Sequence, residues 1–436
     1  MRKTTLATLI IGALLSTDAS ALDLLQAFHD AQTYDSQFAS ARAQRDAAHE
    51  AAVQGRAGLL PSAALTAGVN QVNGDASTSV GKLPIDYTAD SYQLQLKQPL
   101  FNLGNVAAYN QSKLQAAAGD VQYEQARIDL TLRVAQAYFD VLAAEDVISF
   151  IEAQKAAITE QLASAKRNFE VGTATITDTH EAQARFDLAE AQEIAARNDL
   201  DVKRNALAII IGKVPEALAT LKAGAKLTSP EPAAVDRWVE QAQANNLAVV
   251  AQDLNAQIAK LAIDRARAGH LPTVDAIGSY ARNKSFLTGP ITTTTTTIGV
   301  QLTVPLFSGY STSSQINQAV ALEGKSRTDL ETSKRNAAQS VRTAYLGVQS
   351  GLSQVRALEA AETSSKLALE ANQLGYQVGV RINIDVLNAQ QQLYSTRRDL
   401  AKARYDTLVS GLRLKAAAGS LSQEDMSQLN ALLTSR

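Results

Sequence analysis

The chain has 436 residues, 41 Lys plus Arg against 43 Asp plus Glu, and a formal charge of −2. That balance argues against a general nucleic-acid binder, which needs a basic surface. The absence of cysteine excludes disulfides, thiolate metal sites, a cysteine nucleophile and a lipid-attachment cysteine. The four histidines, His29, His49, His180 and His270, have no metal-ligand spacing. No cofactor is expected. With Pro at 9 residues and abundant alanine, the composition favours long, closely packed helices.

Residues 1–21 read as a cleaved export leader. Arg2 and Lys3 precede the apolar run Leu6–Leu15, and Ala19-Ser20-Ala21 is a small-x-small cleavage site. The run is about half of the roughly 20 residues a membrane-spanning helix needs. No later stretch is apolar enough to span as a helix, which leaves a transmembrane β-barrel open, since its strands need only about 10 alternating residues.

The first half then predicts a hairpin over about 62–99. Tyr92, Leu94 and Leu96 alternate with Gln93, Gln95 and Lys97, the period of a strand with one apolar face. Its partner strand is expected over about Ala63–Val72, with Gly74-Asp75 and Gly81 supplying the loop. No proline occurs over 100–214 or 306–436. Leu114, Val121, Ile128, Ala135 and Leu142 recur every seven residues, a coiled-coil seam. A helix from about Asn105 to Phe169 would be roughly 100 Å long. A glycine turn at Gly172 and a shorter helix follow.

The second half repeats this plan. A hairpin over about 273–304 pairs Thr273–Arg282 with the alternating Ile298, Val300, Leu302 and Val304, and Gly289-Pro290 belongs to its loop. The threonine run 292–297 reads as strand start or exposed loop. Val341, Tyr345, Val348, Leu352 and Val355 form a second seam, ending at Gly379. Tyr138 and Tyr345, Gly172 and Gly379, Asp178 and Asp385, and Gly212 and Gly419 all match at one constant offset, which predicts an internal duplication. The expected organisation is a first repeat over 22–211, a linker over 212–233, a second repeat over 234–419 and a C-terminal segment over 420–436. Four strands with an apolar face leave open edges unless copies of the chain close them. An oligomeric tube, part in membrane and part in water, meets that need.

An Asp soon after a glycine turn is also a common helix N-cap, and Asp178 has Glu181 three residues on. Trp238 and Phe28 are expected in packing, and Tyr87 and Tyr280 near a membrane interface. Gly324-Lys325-Ser326 lacks the earlier glycine of a phosphate loop, and His180-Glu181 lacks a second histidine at zincin spacing. No catalytic constellation is visible, so no enzyme activity is expected.

The stretch Gly375-Tyr376-Gln377-Val378-Gly379-Val380-Arg381-Ile382-Asn383-Ile384-Asp385-Val386-Leu387-Asn388-Ala389-Gln390 resembles the periplasmic turn of the TolC family of outer-membrane channel proteins, as does Phe169-Glu170-Val171-Gly172-Thr173-Ala174-Thr175-Ile176-Thr177-Asp178. The resemblance extends over the mature chain. It implies a mainly α fold with β: a homotrimer whose four strands per protomer make a twelve-stranded outer-membrane β-barrel, continued by a long periplasmic α-helical barrel. It further implies a passive exit duct for type I secretion or drug efflux. Expected partners are a periplasmic adaptor protein, an inner-membrane ABC or proton-driven transporter, and outer-membrane lipid. By match of motif, Tyr376 and Arg381 are links that hold the tip closed and Asp178 is their acceptor. Asp385 faces the pore axis, and Gly172 and Gly379 mark the tip turns that meet the adaptor. The family pattern can carry a second acid where this chain has Asn388, so a doubled acidic ring is not expected. Two other classes share parts of the pattern. A periplasmic adaptor pairs one coiled-coil hairpin with β structure, and an exported filament or surface protein carries helical seams.

Overall fold

A computed structural model describes residues 21–78, 81–222, 224–286 and 290–434. The expected leader therefore lies outside the described residues, Ala21 apart, as does Gly289 of the second hairpin loop. In chain order, helices α1 (Leu24–Tyr34) and α2 (Ser36–Ala57) lead into strands β1 (Ser62–Thr78) and β2 (Gly81–Phe101). Helices α3 (Leu103–Glu170) and α4 (Ile176–Ile211) follow, then the short strand β3 (Thr220–Leu221). The plan repeats with α5 (Val235–Asn245), α6 (Leu247–Arg267), β4 (Thr273–Phe286), β5 (Pro290–Thr303), α7 (Ser311–Gln377) and α8 (Asn383–Ala417). Helix α9 (Gln423–Asn430) and strand β6 (Leu433–Thr434) close the chain.

The two rods α3 and α7 have 68 and 67 residues, each roughly 100 Å at 1.5 Å per residue. Their predicted seams are where packing occurs. Ile128, Ala135 and Leu142 on α3 and Val341, Tyr345, Val348, Leu352 and Val355 on α7 are all buried. Both rods end on a glycine in the left-handed region, Gly172 at φ +78 and Gly379 at φ +77. There the chain reverses: Thr173 N–H donates to Asn168 O at 2.8 Å, and Val380 N–H to Gly375 O at 2.8 Å. The glycine is needed because an L side chain is strained at that φ.

At the other end each rod meets a strand. Asn102 caps α3 by accepting from Asn105 N–H at 3.0 Å, and Pro99 sits at a break in ladder register. The two hairpins join into one antiparallel sheet in the order β1-β2-β4-β5. The strands are longer than the alternation predicts. Gly74 and Asp75 are not in the loop but within β1, paired with Ile85 and Pro84. The threonine run lies wholly within β5. Cross-strand pairing continues past the apolar stretch, which is all that periodicity can register.

Between sheet and tip lies the main core. Leu24, Phe28, Tyr138, Phe139, Leu142, Leu207, Tyr405, Val409 and Met426 pack together, and Trp238, Val239, Val341, Tyr345 and Leu414 form a second cluster. Phe28 and Trp238 are packing residues, as expected. The equivalent tyrosines Tyr138 and Tyr345 do the same work in both clusters. The Tyr138 hydroxyl donates to Ala219 O (2.8 Å) and Leu22 O (2.9 Å), and that of Tyr345 to Ala233 O. Burial pushes the Tyr138 phenol well above its ordinary pKa. β3 pairs with β6, so the middle and the end of the chain are sewn together beside Leu22.

Candidate functional site

Register places the alternating residues on two distinct faces of the sheet. Leu65 pairs with Leu94, Leu94 with Tyr280, and Gly278 with Ile298. Val300 and Leu302 continue this face, and these side chains are open: Leu65 is 73% exposed and Ile298 87%. The opposite face carries Gln93, Gln95, Ser279, Thr297 and Gln301, with Lys97 Nζ 2.9 Å from Asp275 Oδ2. A contiguous apolar face on one side and a polar one on the other suit a sheet between lipid and water. The outer strands β1 and β5 each have one partner in the sheet, so two edges are free within the chain. Among the described residues no helix is long and apolar enough to cross a membrane.

At the far end, the two turns are chemically unequal although their backbones match. In the first, Thr175 is the N-cap of α4, and its hydroxyl and the Asp178 carboxylate form a reciprocal capping box. Asp178 is thus the third helical residue and not the N-cap itself, and Glu181 is not its boxing partner. The reason is that a threonine stands three residues before Asp178. In the second turn the equivalent of Thr175 is Ile382, which has no side-chain acceptor, so α8 starts without a capping bond. Asp385 is left without a box. Its carboxylate, one-third exposed, lies 3.7 Å from Nη1 of Arg381, which stands just before the N-cap Ile382.

The structure brings the predicted tip residues to one end but pairs them differently within the chain. Tyr376 Oη accepts from Asn168 Nδ2 at 3.3 Å, linking α7 to α3. Arg381 is paired with Asp385. Asn388 Oδ1 accepts from Arg185 Nη2 at 2.9 Å, linking α8 to α4. Further residues that sequence reasoning missed take part. Asn383 is fully buried, accepts from Gln161 Nε2 of α3, and donates to the Asp178 carbonyl at 3.1 Å. Arg185 also donates to Gln391 Oε1 at 2.5 Å. No local motif marks these residues, because each link joins positions about 200 apart in sequence. Around the turns, Val171, Val378, Val380 and Ile382 stand exposed.

A sheet with one lipid-compatible face, continued by paired rods of roughly 100 Å, is the build of an outer-membrane channel with a large periplasmic helical portion. The sequence profile of the outer membrane efflux proteins matches residues 27–213 and again 238–420, and the chain belongs to that family. It is 35% identical over 431 residues to the outer membrane protein TolC of Vibrio cholerae serotype O1, covering 97% of each chain. It is 34% identical to the alkaline protease secretion protein AprF of Pseudomonas aeruginosa, covering 95% of this chain and 88% of the relative. In fold it is similar to the Campylobacter jejuni CmeC outer membrane channel, with a TM-score of 0.79 over 94% of this chain and 89% of that one, at 16% identity. The protein is an outer-membrane exit duct.

Proposed function

We propose that three copies of this chain close edge to edge, β5 of one against β1 of the next, into a twelve-stranded barrel. The rods of the three copies then line one periplasmic tube. The observation that carries this reading is the four-stranded sheet with two free edges and an exposed apolar face. In lipid an unpaired edge is prohibitively costly, and closure is the way an open sheet avoids it. The constant offset between the halves supports an origin by duplication, with the repeats and linker bounded as the sequence predicts. The duct supplies no energy; an inner-membrane transporter and a periplasmic adaptor deliver cargo to the tip around Gly172 and Gly379. Similarity to a protein named for protease secretion supports a polypeptide as cargo.

The tip is the constriction. Asp178, Tyr376, Arg381, Asp385 and Asn388 cluster there, and in a trimer three copies of Asp385 meet near the axis. Like charges brought together favour cations over small anions. With Asn388 in the next turn, this acidic ring is single.

The test is mass and conductance of the detergent-purified full chain. A trimer that forms discrete channels in planar bilayers is expected, with a higher conductance in Arg381→Ser. A monomer, or a trimer that leaves the bilayer sealed with every variant, contradicts the duct. Loss of a secreted polypeptide from the medium of a deletion strain is the expected cargo result; drug hypersensitivity with intact secretion would instead mark small compounds.

A further inference from the structure

The apolar face of the sheet ends in charge on β4. Arg282 and Lys284 follow Tyr280 at steps of two, so all three share the face that carries Leu94 and Ile298. Arg282 lies directly across from Tyr92 on β2 and from Thr294 on β5. A strand flanks β4 on either side within the chain, so this place is complete in one protomer.

Aromatic rings fix its height. At the rod end of the apolar face Phe101 pairs with Val274, and Tyr92 stands nine residues away along β2. That span is about 30 Å of strand, or about 23 Å of height at a tilt near 40°, close to the roughly 25 Å apolar band of a lipid-embedded barrel with its two aromatic girdles. Tyr92 and Tyr280 therefore stand in the girdle away from the rods, and Arg282 is level with the headgroups of the outer leaflet. Past this line the same face turns polar: Gln71 is hydrogen-bonded to Asp86 and to Thr88.

The cation at this height is uncommitted. Arg282 is exposed, and among the described residues its side chain has no ion pair or hydrogen bond. The Tyr92 and Tyr280 side chains, each 50% exposed, have no hydrogen-bond partner there either. Asp90 is offset by Lys284, at 3.7 Å, so it does not neutralise Arg282. The first hairpin has no such group. Ten residues past Pro61 it carries Gln71, where the second carries Arg282 ten residues past Pro272. A guanidinium fork flanked by phenol hydroxyls matches the geometry of a phosphate, and the lipid face next to it selects a phosphate carried on acyl chains.

We propose that Arg282, with the Tyr92 and Tyr280 hydroxyls and Lys284 beside it, binds the phosphate of a lipid headgroup in the outer leaflet, one per protomer. The site rests on the reading of the sheet as a lipid-embedded barrel. It is a fixed lipid contact on the outside of the duct, separate from the tip and from the path of cargo.

The experiment is native mass spectrometry of full-length trimers in detergent, titrated with diphosphorylated lipid A, with the same lipid stripped of phosphate, and with inorganic phosphate. Wild type is expected to take up lipid A and to bind the dephosphorylated lipid about tenfold more weakly. Arg282→Gln is expected to weaken lipid A binding about tenfold, and Arg282→Lys, which keeps the charge without the fork, about threefold. Lys82→Gln removes a cation of the same face near the hairpin tip, ten residues beyond Tyr92, and is expected to bind as wild type. Equal binding by wild type and Arg282→Gln, or an equal loss in Lys82→Gln, overturns the site. Displacement of lipid A by inorganic phosphate at equal concentration overturns the lipid as its ligand and marks a free anion. Should Arg282→Gln fail to assemble, Arg282→Lys decides, and wild-type affinity there overturns the fork. If the trimers conduct in planar bilayers yet bind lipid A without regard to its phosphates, the headgroup site fails and the duct stands. A monomer soluble without detergent removes both.

Discussion

Replacing Arg133 by methionine is expected to loosen the corner where α1, α2 and α3 meet. Asp35 does three jobs there. Its N–H closes α1 on Ala31 O at 2.8 Å, its Oδ1 caps α2 by accepting from Phe38 N–H at 2.7 Å, and both its oxygens take the Arg133 fork at 2.9 Å each. The Asp35 side chain is 6% exposed and that of Arg133 33%. Arg133→Met therefore leaves a buried carboxylate with the cap as its remaining support, at a cost of about 3 kcal/mol. Asp35→Asn keeps the cap and strands a guanidinium that water can partly reach, at about 1–2 kcal/mol. The double variant is expected to lose less than the sum, because the pair is gone from both sides.

The same contact has a pH signature. Burial pushes the Asp35 carboxyl up, but the Arg133 fork and the Phe38 amide outweigh it and hold it below the ordinary value of 3.8. The folded chain then binds fewer protons than the unfolded one in that range. This stability is fully present above pH 3.8 and drains away as pH falls through the folded pKa. The assay is thermal unfolding of the detergent-solubilised protein followed by far-ultraviolet circular dichroism, near neutrality and at acid pH. An unchanged midpoint in Arg133→Met, strict additivity in the double variant, or an acid response surviving undiminished in Asp35→Asn refutes the reasoning.

Other expectations test other levels of the fold. Gly419 has φ +70, and a Cβ there would lie 2.3 Å from Asn245 O, so Gly419→Ala is expected to abolish assembly on native gels. Gly347, exposed within α7 with open space around its Cβ position, is the control: Gly347→Ala is expected to be neutral or to stabilise by about 0.5–1 kcal/mol. On the sheet, Leu94→Arg is expected to impair insertion by about 2–4 kcal/mol, whereas Gln95→Arg on the opposite face is tolerated; equal losses would put the faces the wrong way round. The Lys415 ammonium lies 2.5 Å from Asp425 Oδ1, and burial of that carboxyl is outweighed by this bond and by the Ser422 cap, so its pKa is lowered. Lys415→Met is therefore expected to shift the onset of acid unfolding to higher pH, read by protection of the C-terminal segment from protease.

Much of this molecule is local, and local order is legible in a sequence. Period-two alternation around Leu94 and Val300 identifies the strands and their faces. The seven-residue seam from Leu114 to Leu142 identifies the rod, and Gly172 and Gly379 identify the turns. Each signal depends on residues within a few positions of one another, so no tertiary knowledge is needed to read it. The capping pattern shows where such local signals stop. Asp178 and Asp385 look equivalent by offset, and it is the residue three places earlier, Thr175 in one and Ile382 in the other, that gives one a capping box and leaves the other without one, beside Arg381.

What the amino-acid order determined by itself was the set of parts and their two-fold repetition. Tertiary structure alone decided how they join: β2 beside β4, β3 onto β6, Tyr138 on the carbonyls of Leu22 and Ala219, and Asn383 and Arg185 binding α8 to the first hairpin. These contacts span 81 to more than 200 positions. A lone Asn or Arg has no periodicity and many possible partners. Only packing of the apolar seams, by fixing which faces meet, selects the one polar group that each side chain reaches.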